Sequence, residues 1–354
     1  MKKPLQILGI AVLIIVILAL AQRYVFKIGA ERFDSNTKEP EITTEVKDEV
    51  EENIPVAIPL PPLDKTLFDA LLLKNANGDT SGKWPVITDY PLDGALLPFN
   101  RIIAYYGNFY SKQMGALGEY EPEEMKRRLL AEVDAWKLAD PETPVIPAIH
   151  YIAVTAQASA GFDGKYRARM PFTQIDKAIE LAKEIDGIVF IDIQNGFSTY
   201  QEEVPRLREY LKLPQVHLGI DPEFNMKTGK KPGSVIGSVD ADEVNFVTQY
   251  LADIVNEYNL PPKILVIHRF TQPMVKNAEL IKTRKEVQIV MDMDGWGPGQ
   301  NKITTYKEFV AKEPVQFTGF KIFYKNDIRK TGSQMLLPAE VLKLTPIPLY
   351  IQYQ

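Results

Sequence analysis

Apolar residues in this chain gather into short, β-rich runs separated by stretches with a different rhythm, and that alternation predicts the fold. Eight runs can be read, at 102–107, 144–152, 187–194, 216–223, 263–270, 287–294, 317–324 and 346–353. Most are continuously apolar rather than alternating, as strands covered on both faces are. Helical periodicity fills the gaps, most clearly at 122–138, 172–185, 240–258 and 303–311. Asp240, with Glu243 three residues on, has the form of a capping box at the start of the third. Pro205 predicts a break within 198–211, and 273–283 and 338–344 complete the helical set. Eight strand–helix units predict an α/β fold of the (β/α)8 TIM-barrel type. An open doubly wound sheet is the alternative.

Loop lengths orient that barrel. Helix-to-strand connections are short, as at 186–187, 213–215, 260–262 and 285–286. Strand-to-helix connections at 107–121, 153–171 and 224–239 exceed the usual range of about 2–6 residues, and long loops commonly carry function. Barrel sites lie at the C-terminal ends of the strands, which is the elaborated side here.

Before residue 101 the pattern changes. Residues 5–21 are apolar apart from Gln6, with Lys2 and Lys3 ahead and Arg23 and Lys27 behind. As a helix the run is about 25 Å long, near the lower limit of ~17 residues for a span. It reads either as a single-pass anchor with the lysines in the cytoplasm, or as a signal peptide ending at Ala19-Leu20-Ala21. The first places the barrel outside the cytoplasm at the cell membrane; the second makes it secreted. The expected organisation is therefore an anchor or signal segment over 1–29, a tether over 30–62, and the barrel with its lead-in over 63–354. The tether is acidic, through residues such as Glu39, Glu41, Glu45, Glu49 and Glu52, and Pro55, Pro59, Pro61 and Pro62 stiffen its end. An amphipathic patch at 67–73 belongs to a lead-in that covers one end of the barrel.

Composition removes several functions. The 354 residues include no Cys, which excludes disulfides, thiolate metal sites, cysteine nucleophiles and acylation as a lipoprotein. A net charge of −5 without basic runs argues against nucleic acid as a partner. Only His150, His217 and His268 are present, so the sequence predicts no metal centre and no cofactor. A carboxylate site of Asp192, Asp292 and Asp294 with His268 stands as the metal alternative. The segment 227–233 is basic and flexible but lacks the Walker pattern, so it reads as a lid or as a contact to an anionic polymer.

Polar groups concentrate at the strand ends. In strand order these are Tyr105 and Tyr106; His150 and Tyr151; Asp192 and Gln194; Asp221 and Glu223; His268 and Arg269; Asp292, Asp294 and Trp296; Lys321; and Gln352 with Gln354. Side chains two apart on a strand share a face, so Asp192 with Gln194, Asp221 with Glu223, and Asp292 with Asp294 each aim two polar groups one way. Charges inside a barrel must be paired, so a purely structural lattice of Asp192, Asp221 and Asp292 against Lys321 and Arg269 is the competing reading.

Asp221-Pro222-Glu223 is the sharpest feature. Glycoside hydrolysis needs a carboxylic acid to protonate the leaving oxygen and a second group to stabilise the oxocarbenium-like state. Glu223, longer and further out, suits the acid, and Asp221, deeper, suits the stabiliser, its charge raising the pKa of its neighbour. The triplet resembles the strand-four Asp-x-Glu of family 18 chitinases, which implies a Glu proton donor and an Asp that positions an N-acetyl group. The acidic run that precedes it in chitinases is missing, since Val216-His217-Leu218-Gly219 stands there. Chitinases also present a Tyr on strand six, where this chain has Asp292 and Asp294. That departure admits a direct carboxylate pair between strands four and six, as in the α-galactosidase-like clan. The clan with Glu on strands four and seven is disfavoured by Lys321 on strand seven. Over 101–354, the Tyr-Tyr-Gly, Asp-Ile-Gln, Asp-Pro-Glu, Gly-Phe-Lys and terminal Tyr-Gln motifs resemble a group of uncharacterised bacterial secreted or membrane-attached barrel proteins.

The expected catalytic residues are thus Glu223, Asp221, Asp292 and Asp294. Substrate binding is expected from Tyr106, His150, Tyr151, Asp192, Gln194, His268, Arg269, Trp296, Lys321 and Gln352. Phe109, Tyr110, Phe224 and Tyr324 are further rim aromatics that could stack on sugar faces. A polysaccharide or peptidoglycan-type glycan is the expected partner. The alternative is a membrane-tethered module that binds glycan or scaffolds without catalysis.

Overall fold

The computed structural model describes residues 60–354; the segments read as anchor, signal peptide and most of the tether lie outside that range. Eight parallel strands form the barrel: β1 (Arg101–Gly107), β2 (Val145–Ala156), β3 (Ile188–Ile193), β4 (Val216–Ile220), β5 (Lys263–Arg269), β6 (Val287–Met293), β7 (Phe317–Ile322) and β8 (Tyr350–Tyr353). Each pairs in parallel with its sequence neighbour, and β1 pairs with both β2 and β8. The sheet is closed, which makes the fold a TIM barrel rather than an open sheet.

Alternation along the strands sorts the core into two parts. Residues such as Ile103, Ile149, Ile191, Leu218, Ile267, Met291, Phe320 and Ile351 face the helices in one apolar cluster. Ala104, Ala148, Phe190, Val266, Val290 and Tyr350 fill the barrel interior in the other. The helices supply matching stripes. In α2 (Pro122–Ala139) these are Met125, Leu129, Val133 and Trp136, at the i+3 and i+4 spacings that keep side chains on one face. The other main helices are α3 (Phe172–Lys183) and α4 (Ala241–Tyr258). Asp240 and Glu243 do form a capping box at the start of α4. Among the described residues, no helix is long and apolar enough to cross a membrane.

The lead-in closes the N-terminal end. Helix α1 (Lys65–Ala76) is capped by Asp64, whose carboxylate accepts the Leu67 amide at 2.9 Å. Behind it, Gln288 of β6 accepts the amides of Leu96 and Leu97 at 3.1 and 3.0 Å and donates to the Leu97 carbonyl at 2.6 Å. A buried amide at the barrel floor is thereby satisfied and the floor is sealed.

Several connections differ from the expected pattern. The chain over 273–283 forms only short 3-10 turns, Gln272–Met274 and Ala278–Leu280, around a two-residue strand, Val275–Lys276. Over 338–344 only Pro338–Val341 is helical. The last long helix begins at Gly299 and finishes as a π-helical turn, Tyr306–Ala311. Helical structure around Pro205 is broken into pieces, as a missing backbone donor requires. After β2 the chain does not run out as an open loop; its end pairs antiparallel with Arg167–Arg169.

Candidate functional site

The inward-facing residues at the C-terminal strand ends form one connected polar layer, resting on Phe190 and Tyr350. The His150 imidazole stacks on the Phe190 ring at 5.2 Å with 9° between planes. The layer needs room, and two glycines provide it. A Cβ at Gly219 of β4 would lie 2.4 Å from Asp192 Oδ1 and 2.5 Å from His150 Nε2. One at Gly319 of β7 would lie 2.6 Å from Asp292 Oδ1.

Asp192 is at the centre. Its Oδ2 accepts the Tyr106 hydroxyl at 2.9 Å, and its Oδ1 lies 3.4 Å from His150 Nε2 and 3.5 Å from His268 Nε2. His268 turns its other nitrogen to Asp292 Oδ2 at 3.2 Å and Asp294 Oδ2 at 3.4 Å. Lys321 completes the ring: Nζ is 3.0 Å from Asp294 Oδ1 and 3.8 Å from the centroid of Tyr106. Gln194 joins the layer to strand four, donating at 3.2 Å both to the Tyr106 hydroxyl and to Asp221 Oδ2. His150 Nδ1 contacts the Tyr350 hydroxyl and, at 3.2 Å, Gln352.

Depth separates these groups. His150, Asp192, His268, Asp292 and Gln352 are wholly buried, Asp221 and Lys321 nearly so, whereas Glu223 and Trp296 are half-buried at the mouth. Asp221 Oδ1 accepts the Glu223 amide at 3.1 Å, so the turn that carries the outer carboxyl is built on the inner one.

Burial and charge set the protonation pattern. Burial works against charge on Asp192, but the flanking imidazoles of His150 and His268 outweigh it and hold the carboxylate well below its usual range. Burial likewise opposes charge on His268, yet the carboxylates of Asp192 and Asp292 keep that imidazole well above its normal value. His150, desolvated and with only partial compensation from Asp192, falls to about 4 and is neutral. Asp292 is raised, by burial first. On strand four, burial pushes Asp221 up to about 7, with the charges of Asp192 and Asp294 acting in the same direction. Glu223 is pushed well above the usual carboxyl value by desolvation and then by Asp221 and Asp294. A protonated acid therefore stands at the mouth above a charged, paired floor.

A stability prediction follows. A carboxyl raised on folding stabilises through its neutral form, fully below its unfolded pKa, and loses that contribution as pH rises through the folded value. For Asp221 the window runs from 3.8 to about 7. Asp221→Asn should melt a few degrees above the parent at pH 8, given roughly 2–4 °C per kcal/mol at this size. The advantage should vanish by about pH 4, which thermal melts across that range would show; a pH-independent difference would remove burial of this carboxyl as its cause.

Two candidates lie outside the layer because strand alternation turns them away. Tyr151, beside inward His150, points to the helices, where its ring stacks on Phe109 at 4.8 Å. Arg269, beside inward His268, donates to Glu313 Oε2 at 2.6 Å and to the Gln272 carbonyl at 2.9 Å. Neither Arg269 nor Lys321 pairs with Asp192, Asp221 or Asp292, so the expected lattice takes a different form, with His268 as its central cation. Tyr324 also faces outward, donating to Glu132 at 2.6 Å. Tyr110 is exposed and Phe224 half-buried at the rim.

The sequence reading missed Tyr350, Gly219 and Gly319. Nor did it register the buried pair Lys302–Asp327, at 2.8 Å. Asp327 accepts the amides of Gly297 and Phe323 at 2.9 Å each, bracing the loops that follow β6 and β7. Its signal is faint, because a lone Lys on a helix reads as a solvated residue.

Comparison with known proteins finds no matching family model and no matching curated protein. Among solved structures, the chain is similar to a hyperthermophilic endo-β-1,4-glucanase in complex with substrate, at 10% identity over 72% of this chain and 89% of the other, with a TM-score of 0.37. It is similar to the mannanase man26 of Bacillus subtilis at 11% identity, over 84% and 88%, with a TM-score of 0.39. The YdhT protein of Bacillus subtilis matches at 12% identity, over 83% and 87%, with a TM-score of 0.41. Likenesses this distant carry no argument about chemistry, which rests on the site itself.

Proposed function

We propose that this chain is a glycoside-hydrolase-like barrel that acts on cell-envelope or environmental glycans outside the cytoplasm, with Glu223 as general acid and Asp221 as its electrostatic partner. The observation that carries the reading is the strand-four pair: a half-buried Glu kept protonated at the barrel mouth, its turn built on a deeper Asp. Protonating a glycosidic oxygen near neutral pH requires such an acid, because an ordinary carboxyl would already be ionised. The Asp-x-Glu likeness to family 18 chitinases supports the same assignment. Asp294, held by Lys321 at 3.0 Å, is the strand-six carboxylate nearest in role to a second reacting group. Asp292 is engaged with His268 and acts as a positioning residue. Trp296 at the rim offers a ring to a sugar face. The apolar segment 5–21 and the acidic stretch after it support a tether that holds the barrel at the outer face of the membrane.

The test is a reducing-end assay of the wild-type chain on β-glucans, mannans, chitin oligomers and peptidoglycan, with glycan binding measured in parallel. Cleavage of one class supports the reading. Binding without cleavage by any form would replace it with the non-catalytic module, and neither cleavage nor binding would end both.

A further inference from the structure

We propose that His150 Nε2, Asp192 Oδ1 and His268 Nε2 are the protein ligands of one divalent transition-metal ion of the zinc class, held in the polar layer inside the barrel. Three observations lead there, and none depends on the glycan reading.

The first is spacing. His150, Asp192 and His268 each offer one ligand atom within 4.8 Å of the others, and Asp192 Oδ1 is 3.4 Å from His150 Nε2 and 3.5 Å from His268 Nε2. Those contacts are too long for good hydrogen bonds. A tetrahedral ion with bonds of about 2.0–2.1 Å places its donors roughly 3.3–3.4 Å apart, close to the two distances from Asp192 Oδ1.

The second is the pattern of satisfied and unsatisfied atoms. Buried His150 Nε2, Asp192 Oδ1 and His268 Nε2 have no hydrogen-bond partner. On the same three side chains, the atoms that point away have partners that suit this role: the Tyr350 hydroxyl can accept from His150 Nδ1, Tyr106 donates to Asp192 Oδ2, and Asp292 faces His268 Nδ1. Buried polar atoms are seldom left without a good hydrogen bond, and these three, which meet only through long His–Asp contacts, face one another. Support of this kind behind each ligand, including a carboxylate on the far nitrogen of a histidine, orients imidazoles toward a metal and fixes their tautomer.

The third is construction. Gly219 of β4 stands between the strands that carry Asp192 and His268, aligned with Asp192 on one side and Val266 on the other. Any side chain there would press into the space beside Asp192 Oδ1 and His150 Nε2. Two imidazoles and one carboxylate suit zinc, cobalt or iron(II), whereas hard ions such as calcium and magnesium take oxygen sets.

The experiment uses the full chain purified without a histidine tag, stripped with chelator and titrated with zinc and with cobalt(II). With no Cys and only three histidines in the sequence, competing soft sites are scarce. The expected result is one equivalent per chain and the intense visible absorption of low-symmetry, four-coordinate cobalt. His268→Gln and Asp192→Asn should abolish both. Because buried ligand variants can misfold, Asp292→Asn is the milder arm and should weaken zinc binding by about 10–100-fold. Glu223→Gln should bind metal as the parent does, so loss of the glycan reading leaves this one standing. A folded wild-type chain that takes up no stoichiometric zinc or cobalt would overturn the site. Uptake that persists undiminished in His268→Gln and Asp192→Asn would do the same.

Discussion

Replacing Glu223 with Gln should lower glycan turnover by about 10²–10⁴-fold while leaving glycan affinity nearly unchanged, the usual worth of a general acid. At 1.36 kcal/mol per tenfold, that is roughly 3–5 kcal/mol of barrier. The amide keeps the shape of the carboxylic acid at the mouth but has no acidic proton for the leaving oxygen. In the parent, activity should fall as pH rises through the raised pKa of Glu223, since only its protonated form serves. The charge on Asp221 develops near pH 7 and helps to hold that proton. Asp221→Asn should therefore move the alkaline limb of the rate profile to lower pH as well as reduce the rate. Wild-type cleavage that survives Glu223→Gln would sink the assignment, and a limb that stays in place in Asp221→Asn would remove Asp221 as the tuning charge.

The barrel was legible because its strands are buried on both faces and so read as continuous apolar runs, whatever the details of the connections. Where the reading slipped, tertiary context decided: 273–283 begins at a proline and settles into 3-10 turns. The eighth strand starts late, at Tyr350, behind Pro346 and Pro348. The site was legible through period two. Alternation aims Asp192, Gln194, Asp292 and Asp294 inward and they join one layer with Asp221, but strand four ends at Ile220 and Glu223 is carried instead by the 3-10 turn Pro222–Phe224. The same rule, applied to adjacent pairs, would have turned Tyr151 away from His150 and Arg269 away from His268. What no one-dimensional pattern displays is convergence. His150 and His268 count as scattered until closure brings β2 and β5 to either side of Asp192. Gly219 likewise reads as a weak point in a strand, although its value lies in the volume that it leaves empty.

Ending the chain before Pro346 should abolish cooperative folding. Strand β8 pairs Tyr350–Tyr353 with β1 on one side and with β7 on the other. Its removal opens the barrel and leaves unpaired backbone along two edges, which invites pairing with other chains. Leu349, Tyr350, Ile351 and Tyr353 are each at most 2% exposed. Burying a large apolar side chain contributes about 1.5–3 kcal/mol, so four of them sum to roughly 6–12 kcal/mol. A whole domain is commonly stable by only about 5–15 kcal/mol. Polar contacts go as well: His150 Nδ1 loses Tyr350 and Gln352, and the Trp136 indole loses the Tyr353 hydroxyl at 2.9 Å. The shortened chain should aggregate on expression, or melt without a cooperative transition in circular dichroism. A chain beginning near Pro62 and keeping β8 is the control, and it should melt cooperatively. Four buried side chains and two ladders cannot be lost from a closed barrel without consequence, so a monomeric, cooperatively melting product that lacks residues 346–354 would overturn closure by β8 as a condition of folding.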